Sequence, residues 1–213
     1  MSEPLFDLLP DDLKTSINDC LKKLPVSLFE EASVHFKHII AEFGHEEIYT
    51  LSLYYNAGDW SYILPTFATE RGLEEIHKAY GSDYSKSDLR WSPCDSPHHE
   101  AHGLYFDQVD EILTDLRSFT EKASSFIDDN NLPKQNNLKA YIAIVIDIHQ
   151  KIHNTVLETL QKLAQIPEVV EYLKNHQCLI VLEAGDMDPE VLDQDLVTLN
   201  GESVHERIKS WDS

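Results

Sequence analysis

The feature that most constrains the fold is a change of hydrophobic period after residue 43. Residues 28–43 carry apolar side chains at helical spacing, whereas residues 48–55, IYTLSLYY, alternate and are rich in aromatic and β-branched types. Turn residues follow at 56–59, and residues 60–67 form a second β-rich run. The pattern predicts an antiparallel hairpin that pairs 48–54 with 61–67. Pro65 cannot donate to a ladder, so the second strand is expected either to lie at an edge of the sheet or to end near Pro65.

The residues before this hairpin predict two helices. Asp11 or Asp12 is expected to cap the first helix, and Pro25 is expected to end it near Leu24. A capping box, S-x-x-E over residues 27–30, then predicts the start of a second helix that runs to residue 43.

The rest of the chain alternates further helices with isolated strands. Helices are expected after Thr69, from Tyr105 to Phe126, over 139–164, from Pro167, and after the N-cap Asp188. Strands are expected at residues 89–92 and 177–183, and residues 128–137 are predicted to form a surface loop. We therefore expect an α+β fold in which a small, mainly antiparallel sheet packs with five or six helices. The whole chain, 1–213, is expected to be one domain.

Net charge restricts the partners. The chain has 38 acidic and 17 basic residues in 213, which gives a formal charge of −21. A field of this sign repels phosphate backbones and anionic lipids, so neither nucleic acid nor a membrane surface is an expected partner. Half of the acids lie in three stretches without Lys or Arg, 38–70, 91–116 and 175–206. A basic protein partner, or simple solubility, fits this charge better.

Two sets of acids are the candidate partner-binding residues, because each lies beside a predicted strand and the two sets would then share one face. They are Asp107, Asp110 and Glu111 at the start of a long helix, and Asp186, Asp188 and Glu190 before a late helix. The competing interpretation is that these acids only solvate loops and stabilise helix N-termini. Asp186-x-Asp188-x-Glu190 does not fit a calcium loop, since Val191 stands where that loop needs glycine.

The cysteine pattern indicates a reducing compartment, and the short apolar runs argue against a membrane span. Cys20, Cys94 and Cys178 are widely spaced and form no C-x-x-C pair, which argues against a disulfide framework or a cysteine-rich zinc site. The first residues lack the pattern of a signal peptide, and the longest apolar runs are too short to span a bilayer. We expect a cytoplasmic location.

A histidine-rich loop provides the alternative, a metal-dependent enzyme. Asp95, His98, His99 and His102 lie in one loop that also contains Glu100, and such nitrogen and oxygen ligands suit zinc or nickel. The sequence HHEAH is not the H-E-x-x-H motif, however, and a solvated polar loop is the favoured interpretation. We expect no metal and no cofactor. His149 and His153, four residues apart on a helix, are expected to be a core residue and a rim residue.

Three segments together resemble a known family. They are EIYTLSLYYNAGDWSYILPTFATERGLEEI, LRWSPCDSP and LEAGDMDPEVLDQDLVTLN. Their order and spacing resemble DUF4303, a bacterial domain of unknown function, over roughly residues 28–208. The resemblance implies no activity and no catalytic residues. Small acidic domains of this kind also resemble immunity proteins, which neutralise a toxin by binding it. The hypothesis is therefore a non-enzymatic, immunity-type inhibitor of a basic protein.

Overall fold

The architecture is a three-stranded sheet surrounded by helices. The computed structural model describes residues 9–99, 102–129 and 134–211. Within them the helices are α1 Asp11–Phe43, α2 Glu70–Tyr80, α3 Lys86–Arg90, α4 Asp107–Asp129, α5 Lys134–Leu163, α6 Pro167–His176, α7 Pro189–Asn200 and α8 Val204–Trp211. The strands are β1 Ile48–Asn56, β2 Ile63–Thr69 and β3 Leu179–Gly185. The fold is α+β, as predicted. In the described ranges no helix is long and apolar enough to cross a membrane.

The predicted hairpin is confirmed, and the sheet is mixed. β1 and β2 pair antiparallel with Leu53 opposite Pro65, and the strand order β2-β1-β3 places β2 at an edge as expected. β3 pairs with β1 in parallel, with Ser52 opposite Val181. The prediction of a mainly antiparallel sheet is therefore wrong for this pair. A parallel partner needs a long crossover, and α2 to α6 provide it.

The two predicted N-terminal helices are one helix. α1 continues through Pro25, and residues 27–30 are in its interior, where they form no capping box. Leu24 and Leu28 are fully buried on either side of the proline, in a stripe that runs from Leu13 to Ile39. Burial of this continuous stripe offsets the backbone hydrogen bond that Pro25 removes.

Two further local predictions are wrong because the residues concerned belong to helices. Residues 89–92 are not a strand, since Ser85 and Asp88 form a capping box that starts α3. Of the surface loop predicted over 128–137, residues 128–129 and 134–137 are helical, since α4 continues to Asp129 and α5 begins at Lys134. Residues 130–133 lie outside the described ranges.

The two faces of the sheet have different surroundings. Leu51, Leu53 and Tyr55 belong to the main core, together with buried residues of α1, α4 and α5. Because side chains alternate along a strand, Ser52 and Tyr54 lie on the opposite face. Segment 91–99 covers this second face, where Cys94 Sγ lies 3.9 Å from the Tyr54 hydroxyl oxygen. The second face is buried and mixed: Ser52, Tyr54 and Glu183 lie on it beside the apolar Leu179 and Val181.

Candidate functional site

The first acidic set lies at the N-terminal end of α4. Asp107, Asp110 and Glu111, with Thr114 and Asp115, line an open depression of about 490 Å³, which we call the acidic depression. None of these lining residues is basic. In the part of the chain that the structure describes, no Lys or Arg forms an ion pair with the three predicted acids. The depression therefore presents negative charge to solvent.

Glu31 of α1 adds a further carboxylate beside the acidic depression. Its two oxygens accept the backbone N–H groups of Gln108 and Val109, each at 3.1 Å, and so cap α4 from a neighbouring helix. Burial raises the pKa of Asp110, and the charges of Glu31 and Asp107 raise it further. Asp110 Oδ1 is buried without a hydrogen-bond partner among the described residues. The acidic depression holds more negative charge than its surroundings neutralise.

The second acidic set follows β3. Asp188 caps α7 and accepts the backbone N–H of Glu190 at 2.9 Å, which is the helix-capping role considered as the alternative. Asp186 has a positive φ of 60° and lies beside the β1–β2 turn. A Cβ added at Gly58 in that turn would lie 3.8 Å from Asp186 Oδ2.

The charge of Arg117 on α4 acts on Asp110 and on Asp59 in the β1–β2 turn. Hydrogen bonding to Ser61 lowers the pKa of Asp59 in the β1–β2 turn, and the Arg117 charge lowers it further. The same guanidinium also acts on Asp110, where it opposes the rise in pKa that burial causes. The field of Arg117 thus reaches both the acidic depression and the turn against which Asp186 lies. That the two sets bind a partner as one face stays a prediction.

Two residues of the histidine loop, His98 and His102, lie side by side in the structure. His98 Nδ1 lies 3.0 Å from His102 Nε2, and His98 Nε2 lies 3.2 Å from the Thr69 hydroxyl oxygen. The buried His98 ring stacks on Phe67 with 4.2 Å between ring centres. Burial lowers the pKa of His98, and the neighbouring His102 lowers it further. The expected solvated loop is therefore partly a packed interior segment.

The other candidate ligands have separate contacts. Asp95 accepts hydrogen bonds from Ser92 and from Tyr80, and these two bonds lower its pKa. His99 packs edge-on against Tyr54 at 4.8 Å between ring centres. Glu100 lies outside the described residues. Among the residues described, no three His, Cys, Asp or Glu side chains are arranged to hold a metal ion.

Sequence reasoning missed a polar cluster formed by Tyr55, His149, His153 and Asp195. The Tyr55 hydroxyl lies 2.9 Å from His153 Nδ1 and 3.4 Å from His149 Nε2, and His153 Nε2 lies 3.1 Å from Asp195 Oδ2. Burial raises the pKa of Asp195, and His153 opposes the rise. The sequence shows the i, i+4 spacing of His149 and His153. It does not show their hydrogen-bonding partners, because Tyr55 lies on β1 and Asp195 on α7. The cluster ties these elements to α5.

Glu183 on β3 was also missed. The Ser52 hydroxyl donates to Glu183 Oε1 at 3.0 Å. Burial raises the pKa of Glu183 to about 7, although the Ser52 hydrogen bond acts in the opposite direction. Glu183 Oε2 is buried and has no hydrogen-bond partner among the described residues. A cavity of about 360 Å³ adjoins this residue, between β3, Trp91 and α7. The sequence signal that could have indicated this residue is a glutamate within an otherwise apolar strand.

The comparisons with known proteins identify the family. The model of a domain of unknown function, DUF4303, matches residues 28–165. The chain belongs to the DUF4303 family. The matched region includes the hairpin and the RWSPCD segment, whereas β3 and the acidic turn after it lie beyond it. Neither the curated proteins nor the solved structures contain a match.

Proposed function

We propose that this chain is a non-enzymatic protein that binds a basic protein partner and inhibits it, in the manner of an immunity protein. The carrying observation is the unneutralised charge of the acidic depression. Asp110 is half-buried next to Asp107 and Glu31, and its pKa is raised as a result. Lys or Arg side chains of a partner would supply the missing positive charge. Charge pairs of this kind contribute to specificity and to the rate of encounter.

The long-range field supports the same proposal. A net charge of −21 attracts a basic protein from a distance, and the acidic depression gives that attraction a place to act. The second acidic set lies near the β1–β2 turn and would extend the binding face. No bond is made or broken in this function. The acids lose water against Lys and Arg, and inhibition follows from occupation of the partner's surface.

The test is affinity capture followed by association kinetics. The unaltered chain is used to capture partners from its native host. The captured protein is then measured against the double variant Asp107→Lys with Asp110→Lys. We expect the variant to associate at least about tenfold more slowly at low salt, because steered association depends steeply on local charge. The difference should shrink at 1 M salt, where the screening length is about 3 Å.

A matched control separates local from global charge. Glu158→Lys with Glu171→Lys makes the same change in net charge at exposed positions on α5 and α6. The proposal requires this control to associate nearly as fast as the unaltered chain. Equal slowing by both double variants would remove the acidic depression from the interface. A wild-type rate that is indifferent to salt would remove electrostatic steering altogether.

The alternative function, a metal-dependent enzyme at the histidine loop, has less support. It needs Asp95 and His99 to converge with His98 and His102. Asp95 instead binds Ser92 and Tyr80, and His99 packs on Tyr54. Elemental analysis of the purified chain tests this alternative directly.

A further inference from the structure

We propose that the cavity between β3, Trp91 and α7 binds a small organic ammonium ion, an apolar body that carries a primary amine, with Glu183 as its counter-charge. This site is separate from the acidic depression and does not depend on the proposed protein partner. We call it the Glu183 cavity. Its other lining residues are Val181, Leu182, Ala184, Pro189, Leu192, Asp193 and Leu196.

The first argument is the incomplete hydrogen bonding of the Glu183 carboxylate. One oxygen accepts from Ser52, whereas Oε2 has no partner among the described residues although it is buried. A buried carboxylate oxygen without a donor is costly, and such groups in native proteins call for an explanation. A donor that enters through the adjoining cavity and displaces the side chains that cover Oε2 would remove this cost. An ammonium group also balances the charge, which a neutral donor does not do.

The second argument is the character of the walls. Apart from Glu183 and Asp193, the lining side chains are apolar or aromatic, which suits an organic body. Trp91 is the side chain best suited to hold a cation against its face, and its ring is itself stacked on Trp211 with 5.9 Å between centres. The volume of about 360 Å³ lies in the range of small-molecule sites, roughly 300–1,000 Å³.

The third argument is the distribution of cations near the cavity. Arg90 lies directly before Trp91, but its guanidinium is held by Glu70 and packs over the Tyr49 ring at 4.6 Å. The Arg90 guanidinium therefore has partners outside the lining of the cavity. Asp193 adds a second carboxylate to the lining, and its Oδ1 lies 3.4 Å from His205 Nε2. A positively charged ligand fits this set of groups, and an anionic ligand is opposed by both carboxylates.

The test is calorimetric titration of the full chain with phenethylamine, and with 2-phenylethanol as the neutral molecule of matched shape. We expect the amine to bind at least about tenfold more tightly than the alcohol, since a charge-assisted hydrogen bond to a carboxylate is among the stronger kinds. Glu183→Gln should abolish this preference. Equal binding of both probes, or no binding of either, would overturn the proposal.

Three further variants serve as controls for this titration. Glu158→Gln makes the same charge change on the exposed face of α5 and should leave amine binding unchanged. Trp91→Leu keeps Glu183 and should weaken the amine while it preserves the fold, so the proposal stays testable if Glu183→Gln does not fold. The double variant Asp107→Lys with Asp110→Lys should bind the amine as the unaltered chain does. A loss there would contradict the separation of the two sites.

The pH dependence gives an independent readout. Amine binding should strengthen as pH rises through about 7, because ionised Glu183 is the counter-charge. Among the described residues, the other ionisable groups near the site are Tyr49 and Tyr54 of β1, Asp193 of α7, Arg90, and His205 of α8, which pairs with Asp193. Burial raises the pKa of both tyrosines, so they stay neutral in this range. An affinity that is flat between pH 5 and pH 9 would contradict the role of Glu183.

Discussion

The carboxylate of Glu31 and the backbone N–H of Val109 join two helices at a distance of 3.1 Å. Glu31 lies on α1 and Val109 in the first turn of α4, so one side chain fixes how the two helices meet. The same carboxylate raises the pKa of Asp110. Glu31 thus contributes both to the position of α4 beside α1 and to the negative charge around Asp110.

Glu31→Ala should destabilise the chain by about 1–2 kcal/mol, because it removes the cap from two backbone donors of α4. Urea unfolding measures the change. The pKa of Asp110 should also fall in an NMR titration, since a neighbouring negative charge is lost. Glu30→Ala, at the exposed neighbouring position, is the control and should change neither quantity.

Asp110→Asn should stabilise the chain at neutral pH. The pKa of Asp110 is higher in the folded state than its ordinary value of 3.8, so the folded state binds the proton more tightly. The resulting stability is present at acid pH and is lost as pH rises through the interval above 3.8. Removal of the charge should recover less than about 1 kcal/mol, because solvent screens a half-exposed group.

Thermal unfolding across pH 3–7 distinguishes this effect from a general charge effect. The advantage of Asp110→Asn should vanish towards pH 3. Glu111→Gln, an exposed neighbour with the same formal change, is the comparison. Equal stabilisation by both substitutions would mean that net charge, and not the burial of Asp110, controls the result.

Pro25→Ala should stabilise the chain by about 1–3 kcal/mol. It restores an N–H in the interior of α1, where proline is the least favourable residue. The measurement is the free energy of unfolding. If two separate helices met at residue 25, the alanine would have no hydrogen bond to regain. Unchanged or reduced stability would therefore contradict the continuous helix.

Purified protein is expected to carry no stoichiometric transition metal. His98 and His102 form a pair, but Asp95 and His99 have other partners. Elemental analysis gives the answer. About one zinc per chain, lost on substitution of His99 and His102, would reverse this expectation and favour the metal-enzyme alternative.

Local signals in the sequence predicted the elements that depend on neighbouring residues. The hairpin follows from alternation around a turn, and Thr69 caps α2 through a hydrogen bond to Gly72 three residues on. Asp188 and Pro189 begin α7 by the same local chemistry. These features need no information from distant parts of the chain, and so the pattern alone predicts them.

For features that depend on tertiary contacts, the predictions from sequence were wrong or absent. Pro25 is a strong local stop, but the buried stripe on both sides keeps α1 continuous. The parallel pairing of β3 has no local signature. The partners of Glu183 and His153 are Ser52 and Asp195, which lie far away in sequence. Sequence spacing cannot show which side chains a crossover brings together.

The central position of β1 has a consequence for synthesis of the chain. β2 follows β1 closely in sequence, but the other edge of β1 is completed only by β3, more than a hundred residues later. At about 5–20 residues per second, the ribosome leaves that edge open for roughly 6–25 s. During this interval the nascent chain exposes the unpaired backbone groups of β1 to any other extended segment. Production at a slower rate of translation lengthens the exposure and should increase aggregation of unfinished chains.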